Sequence, residues 1–209
     1  MKKIILFLFI PLLFFSSSCP SNNEEYIVSP MNQLIKDLFC FKTDSEWVYY
    51  DSISQMSQIM LVTNYDSLIL VPKGKYVYEC SEIIEMNILV GESEKETRLS
   101  SNLSQKNIGK GRIATPTNAN SYFSIRCDEN NNFTPPATYF DTYSVNGKIY
   151  SDVYVFNDEK NITIDGIVCV DTITYYVSKN TGFIRCIYQC KYHEPYSFDW
   201  VLIDKNVKQ

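Results

Sequence analysis

Histidine is almost absent from this chain: His193 is the single one among 209 residues. Histidine-dependent nucleophilic catalysis therefore has one candidate base. That base sits in Tyr192-His193-Glu194-Pro195, and no G-x-S-x-G nucleophile signature accompanies it. A phosphate loop and a dinucleotide fingerprint are also missing. Glycine is scarce, at 7 residues. Basic residues are outnumbered, 19 Lys and Arg against 24 Asp and Glu, for a formal charge of −5. An acidic balance argues against nucleic acid and against an anionic headgroup surface as partner. After the first 18 residues, no stretch approaches the ~18 apolar residues of a membrane-spanning helix.

The first residues carry the most specific signal. Met1-Lys2-Lys3 is a short cationic start, Ile4 to Phe15 is an apolar run broken only by Pro11, and small Ser16-Ser17-Ser18 precede Cys19. As a helix, the run of about 12 residues would reach ~18 Å, short of the ~30 Å of a bilayer core. The pattern is that of a cleaved export signal, and a cysteine directly after small residues matches a bacterial lipoprotein signal. Cys19 is thus the expected lipidation site, and the membrane is an expected partner through its acyl chains, which together anchor firmly where one chain would not. The polar and acidic Pro20-Ser21-Asn22-Asn23-Glu24-Glu25 that follows resembles the surface-export signal of Bacteroidetes lipoproteins. The expected address is the outer membrane, exposed at the cell surface. Loss of Lys2 and Lys3 with the signal takes the formal charge from −5 to −7.

The division expected is a signal peptide over 1–18, a lipidated tether over 19–28 and a single β-rich domain over 29–209. With 16 Tyr and 12 Phe, the composition favours sheet. Ser29-Pro30 ahead of Met31, Leu34, Ile35, Leu38 and Phe39 predicts one short helix, with Ser29 as its cap and Pro30 at its first position. Past Cys40 the period is two. Strands are expected at Trp47–Tyr50, Gln58–Thr63 and Leu68–Val71, the last two separated by a turn at Asn64–Ser67. Tyr76 to Val90 reads as a strand whose even positions form an apolar face spoiled only by Glu82. Residues 91–112 read as an exposed connection or ragged hairpin, and Tyr122–Arg126 as a short strand before a loop over Asp128–Pro136. Asn146-Gly147 marks a hairpin. The strand after it, Tyr150–Phe156, is expected to end in a turn at Asn157–Asn161. Ile167–Val177 and Phe183–Tyr192 form a second hairpin, and Trp200–Ile203 a last strand. In that hairpin, Ser178 opposite Phe183 places the apolar sets of both strands on one face, a register that a one-residue slip would destroy. The absence of strand–helix alternation argues against a parallel sheet. The expected fold is mainly β, an antiparallel curved sheet or half-barrel with one short N-terminal helix.

Gly147-Lys148-Ile149-Tyr150-Ser151-Asp152-Val153-Tyr154-Val155 resembles the "nGktYxDVyv" segment of small uncharacterised Bacteroidetes surface lipoproteins. Tyr175-Tyr176 with Gly182-Phe183-Ile184-Arg185 resembles their "YyxxxxGlIk" hairpin, Trp47-Val48-Tyr49-Tyr50-Asp51 their opening "WxYxD" strand, and Trp200-Val201-Leu202 their closing one. The blocks cover about half of the mature chain. The resemblance implies fold and address and lends no activity. The many cysteines and the long 91–135 region depart from it.

Besides Cys19 there are Cys40, Cys80, Cys127, Cys169, Cys186 and Cys190. Six cysteines in an exported chain allow 15 disulfide connectivities. Cys169 and Cys190 face one side of the expected hairpin and are the favoured pair; the alternative is buried free thiols, since cysteine packs like a small apolar residue. Cys186-x3-Cys190-x2-His193 makes a poor metal site, because two thiols four apart on a strand are about 13 Å apart. Asp128-x-Asn130-x-Asn132 begins like a calcium loop, but Phe133 and Tyr139 stand where Gly and Glu are needed. No metal or cofactor is expected. Asp51-Ser52-Ile53, Asp66-Ser67-Leu68 and Asp171-Thr172-Ile173 resemble the Asp-Ser/Thr-apolar acceptor of Bacteroidetes O-glycosylation, so Ser52, Ser67 and Thr172 are candidate acceptors, although Asp-Ser is also common at turns. The leading expectation is a non-enzymatic, lipid-anchored module that contacts a protein or a glycan. A carrier of an apolar ligand in a sheet-lined cavity is the alternative, and a hydrolase built on two carboxylates a distant one.

Overall fold

The computed structural model describes residues 27–70, 79–102, 107–116, 122–164, 167–188 and 197–209. It holds one helix, α1 (Gln33–Phe39), and thirteen strands. These are β1 (Ile27–Ser29), β2 (Glu46–Asp51), β3 (Ser57–Leu70), β4 (Glu79–Val90), β5 (Ser93–Asn102), β6 (Asn107–Ala114) and β7 (Tyr122–Asp128), then β8 (Phe133–Thr134), β9 (Ala137–Val145), β10 (Lys148–Ile164), β11 (Ile167–Ser178), β12 (Gly182–Tyr188) and β13 (Phe198–Asn206). They form one sheet in the order β8-β7-β6-β5-β4-β3-β2-β13-β12-β11-β10-β9. Every neighbouring pair is antiparallel except β1, which lies parallel to β4. The sheet curls into a nearly closed barrel, as expected of an antiparallel curved sheet. Its two end strands are consecutive in the chain, β8 ending at Thr134 and β9 beginning at Ala137, and rings pack beside the junction: Phe133 of β8 lies 5.6 Å from Tyr154 and 5.2 Å from Phe156 of β10.

The helix fills the interior. Ile35, Leu38 and Phe39 are buried, and the Phe39 ring lies 6.2, 6.3 and 5.9 Å from Phe123, Phe156 and Phe183. Phe123 in turn stacks 4.8 Å from Tyr175. Such aromatic contacts add to the area that the rings bury. The even face of β4 points inward as its alternation requires, with Ile84, Met86, Ile88 and Val90 all buried. Glu82 on that face has a partner for each oxygen: Oε2 accepts the Met31 amide at 2.8 Å and Oε1 the Lys36 ammonium at 2.7 Å. The residue that breaks the apolar face therefore ties the helix to the sheet. Trp47 Nε1 donates to the Thr181 carbonyl at 2.6 Å and the Tyr49 hydroxyl to that of Phe183 at 2.8 Å, so two buried aromatic tips are satisfied.

Several local expectations are corrected. Asn32, not Ser29, caps α1: its side chain accepts the Leu34 amide at 2.7 Å. Ser29 belongs to β1, which also takes in Ile27 and Val28, the end of the expected tether. Asn64–Ser67 is no turn. A bulge after Val62 shifts the register, and β3 continues beside β4 to Leu70, so ladder pairing overrides local turn preference. For the same reason Asn157–Asn161 stays in β10, opposite Val170–Thr174. Of the two readings of 91–112 the ragged hairpin holds and the connection does not: β5 and β6 pair antiparallel with a register shift, Thr97 and Leu99 turned inward; Phe133–Thr134 within the expected loop pairs with β7. In the 167–192 hairpin, Ser178 faces Gly182, not Phe183; a bulge at Tyr176/Val177 then restores the expected register, with Tyr175 opposite Cys186 and Ile173 opposite Tyr188. Tyr76–Tyr78 and 189–192 lie outside the described residues.

Phe39→Ala should lower the unfolding free energy by about 3–5 kcal/mol, the cost of emptying a buried aromatic site. Urea denaturation of the variant measures it; a loss below ~1 kcal/mol would mean that the helix does not organise the barrel.

Candidate functional site

The interior offers no room for a ligand where it is described. The apolar void lined by Leu38, Phe41, Trp47, Met60, Ile113 and Phe183 holds about 10 Å³. That is at most one water, far below the several hundred Å³ of a small-molecule site. On the outer surface two open grooves stand out.

The first, about 490 Å³, is lined by Lys148, Lys179 and Lys205 with Asp204. Its ammonium groups are already engaged. Lys148 Nζ donates to the Ile203 carbonyl at 2.5 Å, Lys205 Nζ to Thr181 Oγ1 at 2.6 Å, and Lys179 pairs with Asp37 at 3.2 Å. Burial and the neighbouring Lys148 both push the Lys205 pKa down.

The second, about 460 Å³, lies on the outside of β5 and β6 and is lined by Glu96, Arg98, Ser100, Lys110, Arg112 and Tyr122. Two rows of directly paired residues cross it. Arg98 faces Arg112, which faces Ser124; Ser100 faces Lys110, which faces Arg126. Each row thus sets two cations side by side, at the ~5 Å spacing of cross-strand pairs, an arrangement that costs stability. Arg98 alone gains a carboxylate, Glu85 at 3.1 Å, and an exposed pair of this kind is worth at most about 1 kcal/mol. Among the described residues no ion pair engages Lys110, Arg112 or Arg126. In a chain of formal charge −5, four cations meet on one three-strand face. The hydroxyls of Ser100 and Ser124 stand beside them. The arrangement suits an anionic ligand that accepts hydrogen bonds from guanidinium forks and hydroxyls.

Residues 109–112 show how the sequence builds this face. Lys110 and Arg112 point out, and Gly109 and Gly111 alternate with them. A Cβ at Gly109 would come within 2.7 Å of Ile35 Cγ1, and one at Gly111 within 1.9 Å of the Arg98 carbonyl oxygen. The glycines let the helix and β5 approach β6 closely. The alternation is visible in the sequence, but a hairpin without a fixed register does not show the face to which it belongs.

The positions expected from the sequence are spread over the molecule. Cys19 lies outside the described residues. So does Cys190, and of Cys169 only the backbone is described, opposite Ile162. Cys40, Cys80, Cys127 and Cys186 are buried free thiols. Burial pushes Cys40 up to about 12, Cys127 up to about 11 and Cys186 well above the ordinary thiol value, so these sulfurs pack rather than react. Ser52, Ser67 and Thr172 are all exposed, and Ser67 Oγ lies 3.5 Å from Glu82 Oε1. Asp128 caps its own loop, accepting the amides of Asn130 and Asn132 at 2.8 Å each. Two motif residues also serve the fold. Asp152 adopts a left-handed backbone at φ 49° and accepts the Tyr139 hydroxyl at 2.8 Å. Arg185 forms a two-pronged pair with Asp199 at 2.7 and 2.6 Å. Compared with protein-family models, curated proteins and solved structures, the chain matches none of them.

Asp51 has a structural reason to precede Ser52. Its carboxylate accepts Ser54 Oγ at 2.5 Å, the Asp199 amide at 2.8 Å and the Ile53 amide at 3.1 Å. Burial pulls its pKa up, but these hydrogen bonds outweigh that pull and hold it below the ordinary value. A carboxyl depressed by folding stabilises above its unfolded pKa of ~3.9 and loses that contribution as pH falls through the folded value. The urea midpoint should fall more steeply below about pH 4 in the wild type than in Asp51→Asn; parallel curves would assign the acid sensitivity elsewhere.

Relief of one like-charge pair gives a second outcome to measure. Arg112→Gln should raise the unfolding free energy by a few tenths of a kcal/mol up to about 1 kcal/mol, because Arg98 then faces a neutral side chain. Thermal denaturation at low salt detects this; a loss of stability would show that the arginines are held by the fold itself.

Proposed function

We propose that this chain is a lipid-anchored cell-envelope module, displayed at the cell surface, that binds an acidic glycan on the outer face of β5–β7. The observation that carries the reading is the pairing of Arg98 with Arg112 and of Lys110 with Arg126 on an open face. A locally costly arrangement in an otherwise consistent sheet marks a surface shaped by something other than folding. Uronate or sulfate groups on a linear glycan would neutralise the cations, and Tyr122 lines the same groove. Four cations fall short of the ~6–10 phosphate contacts of a typical nucleic-acid interface, which disfavours a duplex. The filled interior favours the surface module over a carrier of an apolar ligand. The anchor is Cys19, acylated after removal of residues 1–18.

Two measurements test the two halves. Labelled palmitate should enter the wild type and not Cys19→Ala. By calorimetry, the mature lipoprotein in detergent should bind a polyuronate or a sulfated glycan, and Arg98→Ser with Lys110→Ser should weaken that binding at least about tenfold, 1.4 kcal/mol. Binding that is equal for a neutral glycan, or unmoved by the double variant, would overturn the assignment of the site.

A further inference from the structure

The far end of β3 is exposed on both faces. Leu68, Ile69 and Leu70 are 46 %, 57 % and 52 % exposed. Side chains alternate along a strand, so three consecutive exposed residues leave neither face covered. β2 accompanies β3 only from Ser57 to Leu61, whereas β4 stays beside it to Leu70. Among the described residues, the last part of β3 is thus a ribbon with β4 alone. Three exposed apolar residues in a row are the mark of a contact surface.

The chain enters the domain at the same pole. β1 runs parallel to β4, and Ser29 and Leu70 flank Ser81 from its two sides, about 10 Å apart at two strand spacings. Val28 on β1 is itself exposed. Between Cys19 and Ile27 lie few residues, and even fully extended they span no more than about 29 Å. A short tether and an apolar tip therefore leave the molecule on one side.

We infer that the tip of β3 rests against the bilayer that holds the anchor, with Leu68, Ile69 and Leu70 at headgroup depth. The inference rests on the lipid-anchored reading. Tethering brings this pole to the membrane, and contact then removes apolar area from water. The outer edge of β3 beyond Leu61 has no strand partner among the described residues. Its backbone groups need water, which fixes the contact at the hydrated interface rather than in the hydrocarbon. Asp66 and Glu85, paired on the same ribbon, favour a zwitterionic over an anionic surface. Ser57, at the other end of β3, would stand about 43 Å along the strand from the tip.

Fluorescence can read this contact. Trp47 and Trp200 are 1 % and 3 % exposed, so a tryptophan added at the surface is the one that lipid can reach. The acylated mature protein is placed in phosphatidylcholine vesicles whose acyl chains carry bromine, a collisional quencher. Ile69→Trp should lose most of the emission it adds. Ile53→Trp, in the β2–β3 turn, should keep it. If the protein floats with the vesicles but the two reporters are quenched alike, or neither is quenched, the tip does not meet the membrane while the anchor stands. A dimer that Leu68→Asp dissolves, with Ile69→Trp unquenched, would give the tip to a second copy and overturn the inference. A protein without an acyl chain would remove the anchored reading first, and the tip contact with it.

Discussion

The ring of Phe39 is the point at which helix and sheet become one structure. A sheet ordered from β8 to β9 ends on two strands that follow one another in the chain, with no ladder between them among the described residues. What the curled sheet closes around is an interior packed from Phe39, Phe123, Phe156, Tyr175 and Phe183. Aromatic side chains bury large areas with few rotatable bonds, so a small number of them can set the curvature of a long sheet. Glu82 and Lys36 then fix where the helix lies, because the half-buried carboxylate of the sheet finds its ammonium partner on the helix. Among the described residues, the void left inside a barrel filled in this way holds no more than about one water.

The division of labour between interior and exterior explains which parts of the fold were legible in the sequence. Strands with one buried face were readable: the even residues of β4 and the Asn146-Gly147 hairpin follow period two and turn chemistry, which are local. Segments 64–67 and 157–161 were not. Their Asn, Asp and Ser residues carry turn propensity, yet a ladder with β4 or β11 supplies their backbone hydrogen bonds. The sign of that outcome depends on a partner strand far away in sequence. The cap of α1 was misplaced by three residues for a similar reason: Ser29 is claimed by β1, whose pairing with β4 cannot be read locally. The buried free thiols were open to two readings, since spacing alone does not tell a packed cysteine from a bridged one.

The basic face was hidden more deeply. Arg98, Lys110, Arg112 and Arg126 lie on three strands, and no window of the sequence contains them together in a recognisable pattern. Only register makes them neighbours. The same holds for the acidic side of the ribbon, where Asp66 faces Glu85, which reaches Arg98 at 3.1 Å. One row across the sheet thus runs from two acids to two bases. Segregation of the signs into two blocks produces a local dipole across the strands.

Strand β6 links these levels. Its inward positions include Gly109, where a side chain would strike Ile35, and the neighbouring Gly111 leaves no space against the β5 backbone. Glycine weakens a strand and contributes no packing of its own, so its use twice within three residues has to be repaid by what it allows. Gly109 admits the helix that fills the barrel, and Gly111 draws β5 against β6. The β5–β6 ladder sets Arg98 and Arg112 side by side on the opposite face of the same pair of strands. The strand whose glycines admit the helix and β5 on one side therefore carries the paired cations on the other.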